Sequence, residues 1–308
     1  MAGRQPLENR FSWSKSRDRM FQQCPRAYYF QYYGSWGGWE KGADARTREL
    51  YVLKNLESRQ IWAGDKVHKA IEEALEAVRR AMPPPTPDGL VQRTLDRMRG
   101  EYRDSLSGRH PEDPKRILGL FEHAYDLQVE DSVWKAIAGH VEGCIRTFLA
   151  SDVFAGIREV PPPDWLEVEQ LNKIQVGEIL VYVQLDFAHR LGDDVRIFDW
   201  KTGRAARTDD TMVQLACYAL YATRTWNCAA DSVRTIEFNV GKNQVHEHAV
   251  TDELIQEVRR YIMESAGEME GFLDDVGKNT ASEESFPFAE DANACRNCNF
   301  RKACPRFG

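Results

Sequence analysis

Residues 178–201 read EILVYVQLDFAHRLGDDVRIFDWK. β-branched and aromatic residues fill the chain on both sides of the dipeptide Gly192-Asp193, and this distribution is typical of two strands joined by a tight turn. We therefore predict strands over residues 178–189 and 195–201. These strands belong to the central sheet of the fold, and their pairing decides which polar side chains come together.

Three charged side chains lie late in the two predicted strands. Asp186 belongs to the first strand, and Asp199 and Lys201 belong to the second. Side chains alternate across a strand, so Asp199 and Lys201 point to one face while Trp200 points to the other. Two carboxylates suit Mg²⁺ or Mn²⁺, and an ammonium beside them can position a water or stabilise charge on a phosphate under attack. A surface salt bridge is the commoner explanation of this spacing, so both interpretations stay open at this point.

The rest of the chain alternates between helical and strand-like patterns, which predicts an α/β fold with a central mixed sheet flanked by helices. The aromatic residues that follow Cys24-Pro25 are expected to pack in the core rather than to stack on bases. Apolar residues at helical spacing over 63–80 predict an amphipathic helix that carries His68. Further strands are predicted over 165–171, 233–240 and 244–250, and further helices over 12–33 in two pieces, 208–225 and 251–273, with Ser12 or Ser14 and Thr251 as caps.

Two proline-rich runs, at residues 83–87 and 161–163, interrupt the chain. The residues between them have a helical pattern throughout, including an apolar repeat over 117–124. We therefore predict four parts: N-terminal helices at 1–82, a helical insertion at 83–163, the core at 164–285 and a C-terminal tail at 286–308.

Composition restricts the class of protein. The chain has 308 residues, a net charge of -7 and a mean hydropathy of -0.56, which is typical of a soluble globular protein. No apolar run approaches the roughly 20 residues that span a bilayer, and residues 1–10 lack the apolar stretch of a signal peptide. We therefore expect a cytoplasmic protein without a membrane partner. The acidic balance argues against a protein that coats nucleic acid over its whole surface, but it allows a local basic groove.

The cysteines form a separate pattern. Cys295, Cys298 and Cys304 lie close together at the end of the chain, and a reducing compartment disfavours disulfides, so a metal or cluster site is the better interpretation. Three thiolates on a short loop leave a position for a fourth ligand, and Cys24 fits it. Four sulfurs suit either tetrahedral zinc or an iron–sulfur cluster. The remaining cysteines, at 144, 217 and 228, are expected to be buried thiols.

Several short motifs follow one another along the chain. They are Cys24-Pro25-Arg26 within residues 14–29, Gly64-Asp65-Lys66-Val67-His68, Glu169, Asp186, Ile197-Phe198-Asp199-Trp200-Lys201-Thr202-Gly203, Gln214-x-x-x-Tyr218, and Cys295-x-x-Cys298 followed by Cys304-Pro305. This ordered set resembles the RecB-type branch of the PD-(D/E)xK nuclease superfamily, especially its iron–sulfur subgroup, which includes the CRISPR-adaptation exonucleases and the AddB nuclease domains. The resemblance spans nearly the whole chain outside the helical insertion.

The resemblance implies a restriction-endonuclease-like core with a helical insertion and an iron–sulfur region formed by the two ends of the chain. It favours a [4Fe–4S] cluster over zinc on Cys24, Cys295, Cys298 and Cys304. Such a cluster would hold the N-terminal helices against the C-terminal tail.

The resemblance also implies a role for each site residue. The catalytic residues would be Asp186, Asp199, Lys201 and, as an accessory carboxylate, Glu169, although the nearby Glu167 leaves that last choice open. The ligands of Mg²⁺ or Mn²⁺ would be His68, Asp186, Asp199 and the backbone carbonyl of Trp200. The residues expected to contact DNA are Gln214, Tyr218, Arg26 and Arg204.

These expectations describe a metal-dependent DNA nuclease, an exonuclease on single-stranded DNA or DNA ends in DNA repair, CRISPR adaptation or phage defence. A helicase or a CRISPR-adaptation protein is the expected partner. Two alternatives stay open: a catalytically silent partner that binds DNA ends, and a zinc-stabilised helical interaction module. The chain departs from the family around Asp186, where Val183-Gln184-Leu185-Asp186-Phe187 replaces Gly-x-x-Asp-Arg. This change leaves the metal ligands intact and alters the expected DNA path.

Overall fold

The strand patterns around Gly192 produce a five-stranded mixed sheet. The structure is a computed structural model that describes residues 7–203 and 209–307. Two short strands, β1 (Leu56–Glu57) and β2 (Gly119–Leu120), precede the sheet, whose strands lie side by side in the order β3 (Trp165–Val176), β4 (Ile179–Leu191), β5 (Asp194–Lys201), β6 (Val233–Asn239) and β7 (Gln244–Ala249).

The pairing of the strands sets the register of the site. β4 and β5 are antiparallel and meet at a two-residue turn in which Gly192 has φ of 62°, a backbone conformation that glycine adopts without strain. β5 and β6 are parallel, so that Asp199 lies beside Glu237, and β6 and β7 are antiparallel. The predicted strands are confirmed. β3 extends five residues past the predicted end at Leu171 because its apolar pattern stops before its backbone pairing does.

Several helices begin at residues whose side chains cap the first turn. Ser14 Oγ accepts a hydrogen bond from the Arg17 amide, and Thr251 Oγ1 accepts one from the Leu254 amide, so two predicted caps are confirmed. The helices are α1 (Lys15–Gln23), α2 (Pro25–Tyr29), α3 (Ala45–Lys54), α4 (Arg59–Arg79), α5 (Pro87–Leu106), α6 (Phe121–Ala124), α7 (Asp131–Ala150), α8 (Asp152–Arg158), α9 (Asp209–Thr225) and α10 (Asp252–Glu270).

The chain falls into two compact units. The first consists of Met1–Leu56, Gln175–Tyr182 and Arg260–Gly308, and the second of Glu57–Ile174 and Val183–Arg259. None of the helices that the structure describes is long and apolar enough to cross a membrane.

The core of the first unit contains the aromatic segment. Tyr28 and Phe30 are fully buried, whereas Tyr29, Tyr32 and Tyr33 are partly exposed. The expected packing in the core is therefore confirmed for Tyr28 and Phe30. The fully buried Asp18 accepts hydrogen bonds from Ser265 (2.7 Å) and Tyr261 (2.7 Å) and pairs with Lys15 at 2.5 Å. Because these three side chains supply hydrogen-bond donors to the buried carboxylate of Asp18, its burial is compatible with a stable fold.

The core of the second unit packs against the face of β5 that carries Trp200. Trp200 is buried, and its ring lies edge-to-face against Phe148 of α7 (5.3 Å between centroids) and Phe238 of β6 (6.2 Å). Burying rings of this size anchors the strand. As the alternation of β5 predicts, Asp199 and Lys201 are then held on the opposite face.

The insertion is not helical throughout, so this expectation was wrong for part of its length. Residues 113–120 contain a turn and β2, and the helix near the apolar repeat covers only Phe121–Ala124. Pro111 and Pro114 explain the break, because proline restricts the residue before it and donates no backbone hydrogen bond. His110 closes the turn through Nδ1, 2.7 Å from the carbonyl of Ile117.

Candidate metal centre

His68 is the centre of a group of potential metal ligands in the second unit. It projects from α4 and places Nδ1 3.0 Å from Glu169 Oε1 and 3.5 Å from Asp186 Oδ1. Its Nε2 lies 3.1 Å from the carbonyl oxygen of Trp200. One ligand atom from each of His68, Glu169 and Asp186 lies within 4.8 Å of the other two, which is close enough for all three to reach one ion.

Glu169 reaches this group through an unusual backbone. Its φ is 49° although it lies within β3 and is not glycine. Such a conformation costs of order 1–3 kcal/mol and is characteristic of bulges that redirect a side chain. Glu167 lies in a different environment, where it is buried and accepts hydrogen bonds from Tyr221 and Asn172. The structure therefore places Glu169, not Glu167, beside the candidate ligands.

Asp186 and Asp199 are held by the backbone and by neighbouring side chains. The Trp200 amide donates a hydrogen bond to Asp186 Oδ2 at 2.6 Å. Asp199 Oδ2 pairs with Lys201 Nζ at 2.7 Å but has no well-oriented hydrogen-bond donor. An ion pair without a directional hydrogen bond leaves lone pairs of Asp199 available, so this buried oxygen can accept a cation.

A chain of hydrogen bonds links Lys201 back to Asp199. Lys201 Nζ donates to Gln214 Oε1 (3.1 Å), Gln214 Nε2 donates to the Tyr218 hydroxyl (2.5 Å), and that hydroxyl donates to Asp199 Oδ1 (3.3 Å). Gln214 and Tyr218 lie one turn apart on α9, on the same face of the helix. The network fixes the ammonium beside the carboxylates, which is where a phosphate-activating cation is needed.

The combined effect of burial and of the charges of neighbouring groups raises the pKa values of Asp186 and His68. Burial is the largest effect on Asp186 and raises its pKa to about 7, although the charge of His68 opposes the rise. Burial lowers the pKa of His68, but the carboxylates of Asp186, Glu169 and Asp199 outweigh it and raise that pKa to about 9. A divalent ion would replace these protons as the positive charge among the carboxylates.

The other predicted DNA contacts are not all at this site. Tyr218 is buried within the hydrogen-bond network, while Gln214 is half-buried. Arg26 belongs to the first unit, where its guanidinium donates to the carbonyl of Phe286 (2.7 Å) and pairs with Glu283 (2.9 Å). Arg204 lies outside the described residues.

The four predicted cluster cysteines line one small pocket in the first unit. Its wall includes Cys24, Cys295, Cys298 and Cys304. Backbone amides donate to two of the sulfurs, from Ala27 to Cys24 and from Phe300 to Cys298, each at 3.4 Å. Burial raises the pKa of Cys298 to about 11 and the pKa of Cys304 above its ordinary value, and the neighbouring cysteines add to both shifts. Thiols that shift one another in this way would be stabilised as thiolates by a bound metal.

Sequence reasoning missed one member of the site. Gln184 Nε2 donates to Glu169 Oε2 at 3.2 Å and so helps to hold the accessory carboxylate. The signal was available, because Gln184 lies two residues before Asp186 on β4 and side chains at that spacing share a face.

The chain is similar to a known protein family. A family model described as the PD-(D/E)XK nuclease superfamily matches residues 12–305. A solved structure described as "Crystal structure of SSO0001" is similar to the chain at 14% identity, over 60% of this chain and 78% of that one, with a TM-score of 0.31. None of the curated proteins matches the chain.

Proposed function

The chain belongs to the PD-(D/E)XK nuclease superfamily, whose members are metal-dependent nucleases, and from this premise we propose that it is an exonuclease on single-stranded DNA or DNA ends. The observation that carries the proposal is the convergence of His68, Glu169 and Asp186 beside the Asp199–Lys201 pair. The carboxylate oxygens match the preferences of Mg²⁺ and Mn²⁺, and the imidazole nitrogen suits Mn²⁺ better than the harder Mg²⁺.

Each residue has a task in the proposed reaction. A bound divalent ion lowers the pKa of its water and neutralises charge on a phosphate. His68, Glu169, Asp186 and Asp199 would hold that ion. Lys201 is oriented by Gln214 and is well placed to position the attacking water and to stabilise negative charge on the phosphate.

We propose a [4Fe–4S] cluster for the cysteine pocket. The four cysteines line one small pocket, which is what a shared metal or cluster site requires. The family resemblance of the sequence favours a cluster over a zinc ion.

The proposed biological setting rests on the sequence and its family resemblance. We place the protein in the cytoplasm, with a helicase or a CRISPR-adaptation protein as its partner in repair, adaptation or phage defence. The division into parts at residues 82, 163 and 285 remains part of this proposal.

A nuclease assay tests the proposal directly. Labelled single-stranded DNA, duplex DNA and RNA are incubated with Mg²⁺ or Mn²⁺ and with the parent protein, Asp199→Ala or Lys201→Ala. We expect the parent to degrade single-stranded DNA progressively from an end and both variants to be strongly impaired. Equal cleavage by all three proteins would remove the assignment. DNA binding without cleavage by the parent would favour the silent end-binding alternative.

A further inference from the structure

An aromatic pocket between α4 and the helical insertion has no role in the proposed reaction. Its volume is about 430 Å³, within the range of about 300–1,000 Å³ that is usual for small-molecule sites. It lies between α4, α5 and α7, and all of these elements belong to the second unit. The lining residues are Trp62, Leu95, Met98, Arg99, Tyr102, Arg103, Asp131, Trp134, Lys135 and Ala138.

The aromatic walls of the pocket meet at steep angles. The Trp134 ring lies 5.1 Å from Tyr102 at 74° and 6.5 Å from Trp62 at 71°. Edge-to-face contacts of this kind leave ring faces open to a further planar group. The indole N–H of Trp62 already donates to Glu101 at 2.6 Å, so this ring contributes mainly apolar surface to the pocket.

The rim of the pocket is positively charged although the whole protein is acidic. Three cations, Arg99, Arg103 and Lys135, line it together with a single carboxylate, Asp131. All three cations are exposed, and Arg99 also pairs with Asp96. An aromatic interior with a cationic rim is complementary to a ligand that joins an aromatic ring to an anion.

We infer that the pocket binds a nucleobase of a single-stranded nucleic acid, with the adjoining phosphates on Arg103 and Lys135. Base stacking on aromatic side chains combined with cations along the backbone is the general mode of single-strand binding. This inference deepens the proposed function and rests on it only in that the substrate is a nucleic-acid strand.

The position of the pocket separates it from the candidate metal centre. Trp62 and His68 lie on the same helix, six residues apart, which corresponds to about 9 Å along its axis. The two side chains leave α4 on different faces, because six residues amount to about one and two-thirds turns. The pocket therefore takes a base at a distance from the scissile phosphate, and it acts as a binding subsite rather than as part of the reaction centre.

Binding to intact and abasic strands tests the inference. Fluorescence anisotropy with no divalent metal added measures the affinity for labelled oligothymidylate and for an abasic strand of the same length. We expect Trp134→Leu to weaken binding of oligothymidylate about five- to 150-fold, the loss expected for one stacked base, and to leave abasic binding unchanged. Trp134→Phe, which keeps a ring, should restore most of the affinity.

The cationic rim provides an independent measurement. The double variant Arg103→Ala/Lys135→Ala should weaken binding of both strands and reduce the salt slope by about 1.4, because each lost phosphate contact removes about 0.7. Arg116→Ala is the matched control, since Arg116 is an exposed cation of the same insertion that does not line the pocket. It should change neither affinity nor slope.

The experiments distinguish a failure of the pocket inference from a failure of the nuclease assignment. One result would overturn the inference about the pocket and leave the nuclease assignment intact. In that case the parent cleaves DNA normally, and both Trp134→Leu and the double variant bind oligothymidylate as the parent does. This result would point to a protein segment as the occupant of the pocket. Pocket-dependent binding without cleavage would retain the pocket and refute the nuclease. Tighter binding of free thymidine monophosphate than of the strand would also overturn the inference. If Trp134→Leu lowers the melting temperature, Trp134→Phe and the double variant still decide the question.

Discussion

Binding of Mn²⁺ to the metal centre is expected to strengthen steeply as pH rises. The pKa of Asp186 is raised to about 7 and that of His68 to about 9. Both groups therefore hold protons at pH values where an ordinary carboxylate is free and an ordinary imidazole is mostly free. A metal ion needs both groups deprotonated, so binding must expel these protons.

The magnitude follows from the two pKa values. Each ion expels about two protons below pH 7, about one between pH 7 and 9, and none above pH 9. Since each expelled proton changes the Kd about tenfold per pH unit, the Kd should fall roughly a thousandfold between about pH 6 and 8. A carboxylate and a histidine with ordinary pKa values would give only about a fourfold change over the same interval.

Titration calorimetry of Mn²⁺ in two buffers with different ionisation enthalpies measures the released protons directly. Near pH 8 we expect about one proton per ion for the parent. His68→Asn removes the titrating imidazole and also the charge that holds the pKa of Asp186 down, so any proton that the variant still releases comes from that carboxyl. His246→Asn changes an exposed histidine on β7 and is the matched control. A Kd that does not change with pH, or proton release near zero for the parent at about pH 8, would refute the reasoning.

Three further changes test separate parts of the molecule. Lys201→Ala should slow DNA cleavage about a hundredfold or more while Mn²⁺ binding persists, because it removes charge stabilisation rather than a ligand; cleavage at the parent rate would contradict this role. Cys298→Ala should lower both the iron content and the melting temperature, whereas Cys144→Ala, a buried thiol outside the cluster pocket, should keep the iron; an unchanged melting curve for Cys298→Ala would defeat the structural role of the cluster. Tyr221→Phe removes a donor to the buried Glu167 and should reduce the free energy of unfolding by about 1–3 kcal/mol in urea denaturation; an unchanged midpoint would show that this hydrogen bond does not stabilise the fold.

Local patterns were sufficient to predict most of the sheet. The strands on either side of Gly192 depend on alternation and on a turn that glycine favours, and both are properties of neighbouring residues. The irregular stretch at residues 113–120 was not predicted, because apolar residues at helical spacing suggested a helix that Pro111 and Pro114 prevent. Periodicity records which face of a segment is buried, and it does not record whether the backbone can form the hydrogen bonds of a helix.

The candidate site was likewise predictable from local sequence patterns only in part. The closeness of Asp199 and Lys201 follows from the two-residue period of one strand. The contact between His68 and Glu169 joins residues 101 positions apart, so no local spacing encodes it, and it was expected only through the family resemblance. The choice of Glu169 over Glu167 depended on a left-handed backbone at residue 169, which no alternation pattern predicts for glutamate in a strand.

The strain at Glu169 and the crowding of charge around His68 have a common physical consequence. A strand residue with φ of 49° is less stable than an extended one, and buried carboxylates repel one another unless a cation lies between them. In the protein without metal, His68 supplies that cation by holding a proton, with Glu169 3.0 Å and Asp186 3.5 Å away. A divalent ion would bring more charge to the same carboxylates and release the imidazole as a neutral ligand. The surrounding fold therefore maintains a ligand arrangement that is costly without metal, and metal binding should recover part of that cost as stability.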